Sequence, residues 1–293
     1  MLKDTKILYF VRHGQSSHNL SLEEKKLSGD EVLTMYATKF RDSRLSDRGI
    51  QEARSLYEEI LKRPKIMTPE LICVSPCSRT LKTASLVFQN HLKKKTFLVV
   101  EELRERHGRF PCEQRRNRSI VSKEYPYFDF SQISEKDILW RLNREPRQNS
   151  IDRANKFLKF ISSRNEKIIA CVSHAGFMGQ SLFTDKNKKI TIMDKEKMLH
   201  GFENCEMRIM EFKIFNNDTY SVKMLDSIKR PKVDNDDEEE DIKAKNLGRL
   251  NMAELYKFSG KEIEEKLKII RKENPLPYIK NPEDHDFNLT AKL

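Results

Sequence analysis

The chain has no run of about eighteen apolar residues, which excludes a transmembrane helix. Its first residues, MLKDTKILYFVRHG, hold one short apolar stretch and no small-residue cleavage site, so a secretory signal is not expected. Cysteine is scarce. Cys73, Cys77, Cys112, Cys171 and Cys205 are odd in number and show no CxxC spacing. That excludes a disulfide framework and argues against structural zinc, so no metal is expected. A reducing, cytoplasmic location fits best. Apolar residues are also few, 37% against 34% charged over 293 residues. Such a balance suits one well-built core with a polar appendage better than two dense domains.

What is abundant is positive charge, a net +11. It is uneven. Residues 227–293 carry fourteen Lys/Arg against fifteen Asp/Glu, so the whole excess lies in the first 226 residues. Such a surface attracts anions, whether small phosphates, nucleic acid or acidic membranes. No nucleic-acid motif occurs, and aromatic residues are not interleaved with the arginines as stacking platforms. Neither a nucleic acid nor a membrane is therefore expected as partner.

Short apolar runs at Lys6–Val11, Leu71–Ser75, Thr96–Val100 and Lys167–Ser173 predict buried strands. Helical spacing predicts helices over Ser46–Lys62, Ser78–His91 and Ile151–Ser163, with another starting in Gly176–Phe183. Cys205–Phe215 and Thr219–Leu225 alternate and predict a late hairpin across Asn216-Asn217-Asp218. Alternating strands and helices predict an α/β fold: a three-layer α/β/α sandwich around a mostly parallel sheet. The expected boundary lies after residue 226. Residues 227–293 read as a charged linker (DNDDEEED), a helix capped by Ser259 with Ile263, Leu267 and Ile270 on one face, and a proline-rich arm. This helical and extended appendage either folds back on the core or docks on a partner such as a second subunit, giving a homo-oligomer.

In open α/β sheets, ligands bind beyond the carboxyl ends of the strands. The first predicted strand ends in Arg12-His13-Gly14. The second runs into Ser75-Pro76-Cys77-Ser78-Arg79. The fourth ends in Ser173-His174-Ala175-Gly176. Side-by-side strands would bring two arginines and two histidines to one spot. Arginine forks match phosphate oxygens, and histidine serves as nucleophile, donor or base.

VRHGQSSHN (11–19) resembles the signature of the histidine phosphatase, or phosphoglycerate mutase-like, superfamily. SPCSRTLKTA (75–84), VSHAGF (172–177) and LSDRGIQEA (45–53) resemble its further motifs, in the family's order. HGRFPCEQRRNRSIVSKEYPYFDFSQI (107–133), DILW (137–140) and FENCEMRIM (202–210) resemble the phosphomutase-like branch, with departures at Phe110 and Glu113. The resemblance implies a catalytic domain over residues 1–226 with the phosphoglycerate mutase-like fold. It implies that His13 attacks phosphorus, with Arg12, Arg79 and His174 on the non-bridging oxygens and Asn19 adding a donor. It implies no cofactor and a phosphorylated small molecule as substrate. The proton donor is expected within 101–116, among Glu101, Glu102, Glu105 and Glu113. The branch pattern favours Glu105, with Glu102 next. Arg115 and Arg116 match the branch and are expected as a cationic lid at the substrate rim, the alternative being a solvated salt-bridged loop. His18 is expected either at the rim or in a structural role. Water access separates a metal-independent phosphomonoesterase, the preferred function, from a phosphoglycerate mutase-type phosphotransferase. A catalytically silent phosphate-binding protein is the third alternative.

Overall fold

The apolar run that precedes His13 forms the heart of strand β1, Leu2–Arg12. This computed structural model describes residues 1–26, 37–94, 96–199 and 201–229. After β1 come α1 (Ser17–Lys26), α2 (Asp47–Leu61), β2 (Leu71–Val74) and α3 (Ser78–Val87). Next are β3 (Phe97–Val99), α4 (Arg118–Glu124), β4 (Phe128–Asp129), α5 (Arg147–Ser162) and β5 (Ile168–Ser173). Strand β6 (Ile190–Ile192), α6 (Lys195–Leu199), β7 (Met207–Phe215) and β8 (Tyr220–Ile228) complete the set. The sheet order is β4-β3-β2-β5-β1-β7-β8-β6. The first five strands in that order are mutually parallel, and β7 runs antiparallel to both β1 and β8.

Both faces of the sheet are covered. Leu8 and Phe10 of β1 point into one core, with Phe157, Leu158 and Ile161 of α5. Tyr9 and Val11 point into the other, with Ala53 and Leu56 of α2 and Leu81 of α3. The two-residue period of a strand thus feeds two cores from one segment. The result is the expected α/β/α sandwich. Lys6, inside the same apolar run, is also buried, and its ammonium donates to Arg164 O at 2.7 Å and Glu166 O at 2.9 Å.

Helix α2 starts where Ser46 caps it, with Ser46 Oγ accepting from Gly49 N–H at 3.1 Å. The same hydroxyl donates to Gln15 Oε1 at 2.7 Å. A Cβ on Gly49 would lie 2.0 Å from Gln15 O, so only glycine lets this helix approach the segment after His13. Glu52, one turn on, accepts from Gln15 N–H at 2.7 Å. The LSDRGIQEA element is therefore a cradle for the backbone that follows β1.

Several elements differ from the sequence reading. The helix expected to reach His91 stops at Val87 and continues as a 3₁₀ turn over Gln89–His91. The segment after His174 forms one helical turn, Ala175–Phe177, and then a π-type turn, Met178–Leu182. Strand β7 begins at Met207 rather than Cys205. Cys205 takes a positive φ of 55° and donates its N–H to Arg12 O, so it turns the chain instead of extending the ladder. Strands β4 and β6 are too short to show a period. The appendage expected at 227–293 lies, from residue 230 on, outside the described residues.

Candidate functional site

Parallel register sets the site. Arg12 lies beside Ser173, and Val74 lies beside Val172. The residues that follow, His13, Ser75 and His174, therefore emerge at one edge of the sheet. His13 donates its backbone N–H to Ser173 O at 3.1 Å. Its carbonyl accepts from Asn204 Nδ2 at 2.9 Å. Gly14 N–H donates to Thr83 Oγ1 at 3.1 Å, and that hydroxyl donates to Arg79 O at 2.8 Å. The Thr of the SPCSRTLKTA motif thus ties α3 to the His13 loop.

The His13 and His174 rings stand 5.0 Å apart, tilted at 65°. Both are buried. His13 Nδ1 bonds Gly14 O at 2.7 Å. A carbonyl only accepts, so Nδ1 carries the proton and Nε2 presents a lone pair. Burial and the charges of Arg79 and Arg12 push the His13 pKa well below the ordinary imidazole range. His174 is lowered likewise, by burial and then Arg79. Its Nδ1 accepts from Arg79 Nη2 at 3.2 Å, and its Nε2 donates to Ser75 Oγ at 2.9 Å.

Arg79 sits in the first turn of α3. It is 4% exposed, which fixes its fork. Nη1 donates to Cys112 O at 2.8 Å, and Nη2 lies 3.4 Å from Glu113 Oε2. Arg12 Nη1 donates to Phe202 O at 2.7 Å, while its buried Nε has no partner among the described residues. Asn19 spends its carbonyl oxygen on Ser16 Oγ at 2.8 Å, which leaves its NH₂ as the group to offer. His18 packs edge-on against Phe40.

Glu105 follows the turn after β3. Its Oε2 accepts from Gly176 N–H at 2.9 Å and its Oε1 from Arg106 N–H at 3.0 Å. A Cβ on Gly176 would lie 2.5 Å from Oε1, so glycine after His174 is what admits this carboxyl. Burial and the nearby Glu113 charge raise its pKa above the usual carboxylate range. The two N–H donors favour the anion, but the net direction is upward. Glu101, by contrast, is spent on Arg115 and Arg104. Glu102 lies beside α5, at the groove lined by Arg153 and Lys156.

The cationic lid is not what the arginine-rich segment builds. Arg115 is fully buried. Its guanidinium donates to Glu101 Oε1 at 2.7 Å, Ser134 O at 2.8 Å and Lys136 O at 3.0 Å. Arg116 binds Asp42 Oδ2 at 3.1 Å, Ser78 Oγ at 2.7 Å and Glu124. Arg104 makes a bidentate pair with Asp137, both contacts at 2.7 Å. Neither Arg115 nor Arg116 stands free at a rim, because carboxylates and carbonyls already occupy their donors. Arg116 acts instead through Asp42, which accepts from Ser78 N–H at 2.8 Å and caps α3 just before Arg79. Sequence reasoning assigned no role to Asn204 or Ser75. The FENCEMRIM and SPCSRTLKTA motifs contain them, but only the fold shows what they touch.

His18 gives the site a pH signature. It is buried, its Nε2 has no partner among the described residues, and burial lowers its pKa to about 4. Unfolded, it binds a proton below about 6.5. Folded, it stays neutral down to about 4. Its stabilising contribution is therefore present above pH 6.5 and is lost as pH falls. Going from about pH 7 to about pH 5 costs about 2 kcal/mol through this group. Denaturant unfolding at both pH values should show that difference shrink by about this amount in His18→Leu. An unchanged difference would refute the assignment.

Among the described residues, no group of three His, Cys, Asp or Glu side chains is placed to hold a metal ion. No helix among them is long and apolar enough to cross a membrane. The chain is 30% identical over 234 residues to a phosphoglycerate mutase-like protein of Arabidopsis thaliana, covering 70% of this chain and 83% of that one. It is 29% identical over 187 residues to phosphomutase-like protein 3 of Candida albicans, covering 61% and 59%. Its fold superposes on the ecdysone phosphate phosphatase from Bombyx mori with a TM-score of 0.51 at 12% identity, over 78% of this chain and 95% of that one. The family model of the histidine phosphatase superfamily (branch 1) matches residues 8–217. With the motifs carried at aligned strand ends, the chain belongs to the histidine phosphatase superfamily, branch 1.

Proposed function

We propose that the protein is a phosphomonoesterase that works through a phosphohistidine at His13. The observation that carries this reading is the Nδ1–H···O bond from His13 to Gly14, which aims a neutral Nε2 lone pair away from the backbone. In the first step Nε2 forms a bond to phosphorus while the ester P–O bond breaks. Glu105, held protonated by its raised pKa, gives its proton to the leaving oxygen. In the second step water attacks the phosphohistidine, Glu105 takes back a proton, and phosphate leaves. Arg79 and Arg12 hold the non-bridging oxygens, with Asn19 as a neutral donor. Catalysis is then mostly positioning and fixed charge. A phosphoryl dianion that competes for Arg79 Nη2 frees His174 Nδ1 and favours its protonation, which makes His174 a further donor.

The test is p-nitrophenyl phosphate hydrolysis in EDTA from about pH 4.5 to about pH 8, with alkaline quenching of the turnover mixture. Peptide mass spectrometry should find an acid-labile phosphoryl group on the peptide containing His13. A phosphoryl group on another residue, or turnover that needs added metal, would sink the proposal. Label that passes to a second hydroxyl compound in preference to water would mark a mutase.

A further inference from the structure

Arg144 is held beside the pocket with donors that the protein does not use. Segment 141–145 runs along 107–109. Arg109 N–H donates to Arg141 O at 2.8 Å, and Glu145 N–H donates to His107 O at 2.9 Å. Glu145 is fixed in turn by the Arg153 fork, at 3.0 and 2.7 Å, and its carbonyl takes Arg106 Nη2 at 2.7 Å. The backbone carrying Arg144 is therefore tied on both sides. Its guanidinium lies over the Phe110 ring, 5.0 Å from the centroid. Phe110 is itself buried, and it leads into the turn whose Cys112 carbonyl holds Arg79.

The Arg144 charge acts on both the Glu105 carboxyl and the Cys112 thiol, which puts it at the catalytic pocket. Yet Nε and Nη1 are buried without a hydrogen-bond partner among the described residues. Arg104, Arg115 and Arg116 differ, since each is engaged by a carboxylate. Buried charged donors left unsatisfied are costly, and such groups in a folded protein call for a missing acceptor. Stacking on Phe110 fixes the plane of the fork, which lowers the entropy lost when an anion binds.

We propose that Arg144 binds a second anionic group of the substrate, so the enzyme prefers phosphomonoesters that carry another carboxylate or phosphate. The inference rests on the phosphomonoesterase reading above. His13 takes the reacting phosphoryl group, and Arg144 takes the other oxyanion. Carboxylate and phosphate share the chemistry that a guanidinium fork recognises.

The test compares three substrates on one carbon skeleton: propyl phosphate, 3-phosphonooxypropanoate and propane-1,3-diyl bisphosphate. Phosphate release gives kcat/KM for wild type, Arg144→Gln and Arg144→Lys. The wild type should prefer at least one doubly anionic substrate by about tenfold, as expected for one charge-assisted fork. Arg144→Gln should remove that preference, and Arg144→Lys should keep part of it. The carboxylate and bisphosphate arms tell which anion is read. An equal preference ratio in wild type and Arg144→Gln overturns the proposal. So does a uniform loss on all three substrates with a shift of the alkaline limb, which would make Arg144 only a tuner of Glu105. If the wild type turns over none of them, nor p-nitrophenyl phosphate, the phosphomonoesterase reading fails instead. Calorimetric binding of the same three compounds then gives the same ratio without turnover.

Discussion

His13→Ala should lower phosphomonoester turnover by about ten-thousandfold or more, the scale seen when a covalent nucleophile is removed. No second nucleophile is poised to replace it. Ser75 is spent on His174, and burial holds Cys77 at a pKa of about 12 and Cys112 well above the ordinary thiol range. The anion-holding groups would survive. Arg79 is anchored by Cys112 O and Glu113, and Arg12 by Phe202 O, none of which depends on the imidazole. The variant should therefore still bind inorganic phosphate while failing to turn over ester. Calorimetry with phosphate and a p-nitrophenyl phosphate assay check the two halves. Residual turnover within tenfold of wild type would place the nucleophile elsewhere.

Glu105→Gln should have the next largest effect, and it should depend on the leaving group. An alkyl phosphate leaves as a strongly basic alkoxide that needs the proton, so its kcat should drop by about a thousandfold. p-Nitrophenolate leaves without help, so its kcat should drop far less. The pH profile carries the sign. Glu105 is active as the acid, so kcat/KM falls as pH rises through its raised pKa, and this alkaline limb should vanish in the variant. His13 is active when neutral, and its lowered pKa puts the acid limb well below the usual imidazole value. Glu113→Gln removes the charge that helps raise the Glu105 pKa, so it should move the alkaline limb to lower pH. Equal losses on both leaving groups in Glu105→Gln would exclude Glu105 as the proton donor.

The strand ends were the readable part of this chain. Buried parallel strands show as apolar runs, and the polar residues at their ends must share one edge of the sheet. That is why Arg12, His13, Arg79 and His174 could be brought together on paper. Partner choice was not readable. Arg115 and Arg116 are the right residue type in the right loop, but a sequence does not say what will face them. Their carboxylate partners Glu101, Asp42 and Glu124 lie 14, 74 and 8 residues away. Arg144 and Asn204 escaped notice for a related reason. Each lies on an irregular segment with no hydrophobic period, so its direction is set only by distant backbone contacts such as Glu145 to His107. The hydroxyl of Thr83 was visible as part of a motif, but its use as a tie between α3 and Gly14 was not.

The place of β1 between β5 and β7 also fixes when the protein can become itself during synthesis. The acceptors that satisfy the buried Lys6 ammonium lie 158 and 160 residues further along the chain. The strand that carries the His13 loop has no partner until they have been made. At ribosomal speeds that is a wait of roughly 10 to 30 seconds. Throughout it, an apolar run of high β propensity trails behind the ribosome with both edges open. Asn204, which clamps the His13 carbonyl, arrives later still. A nascent chain of this design depends on chaperones to shield its first dozen residues, and a fragment ending before β7 would carry the RHG motif without a pocket around it.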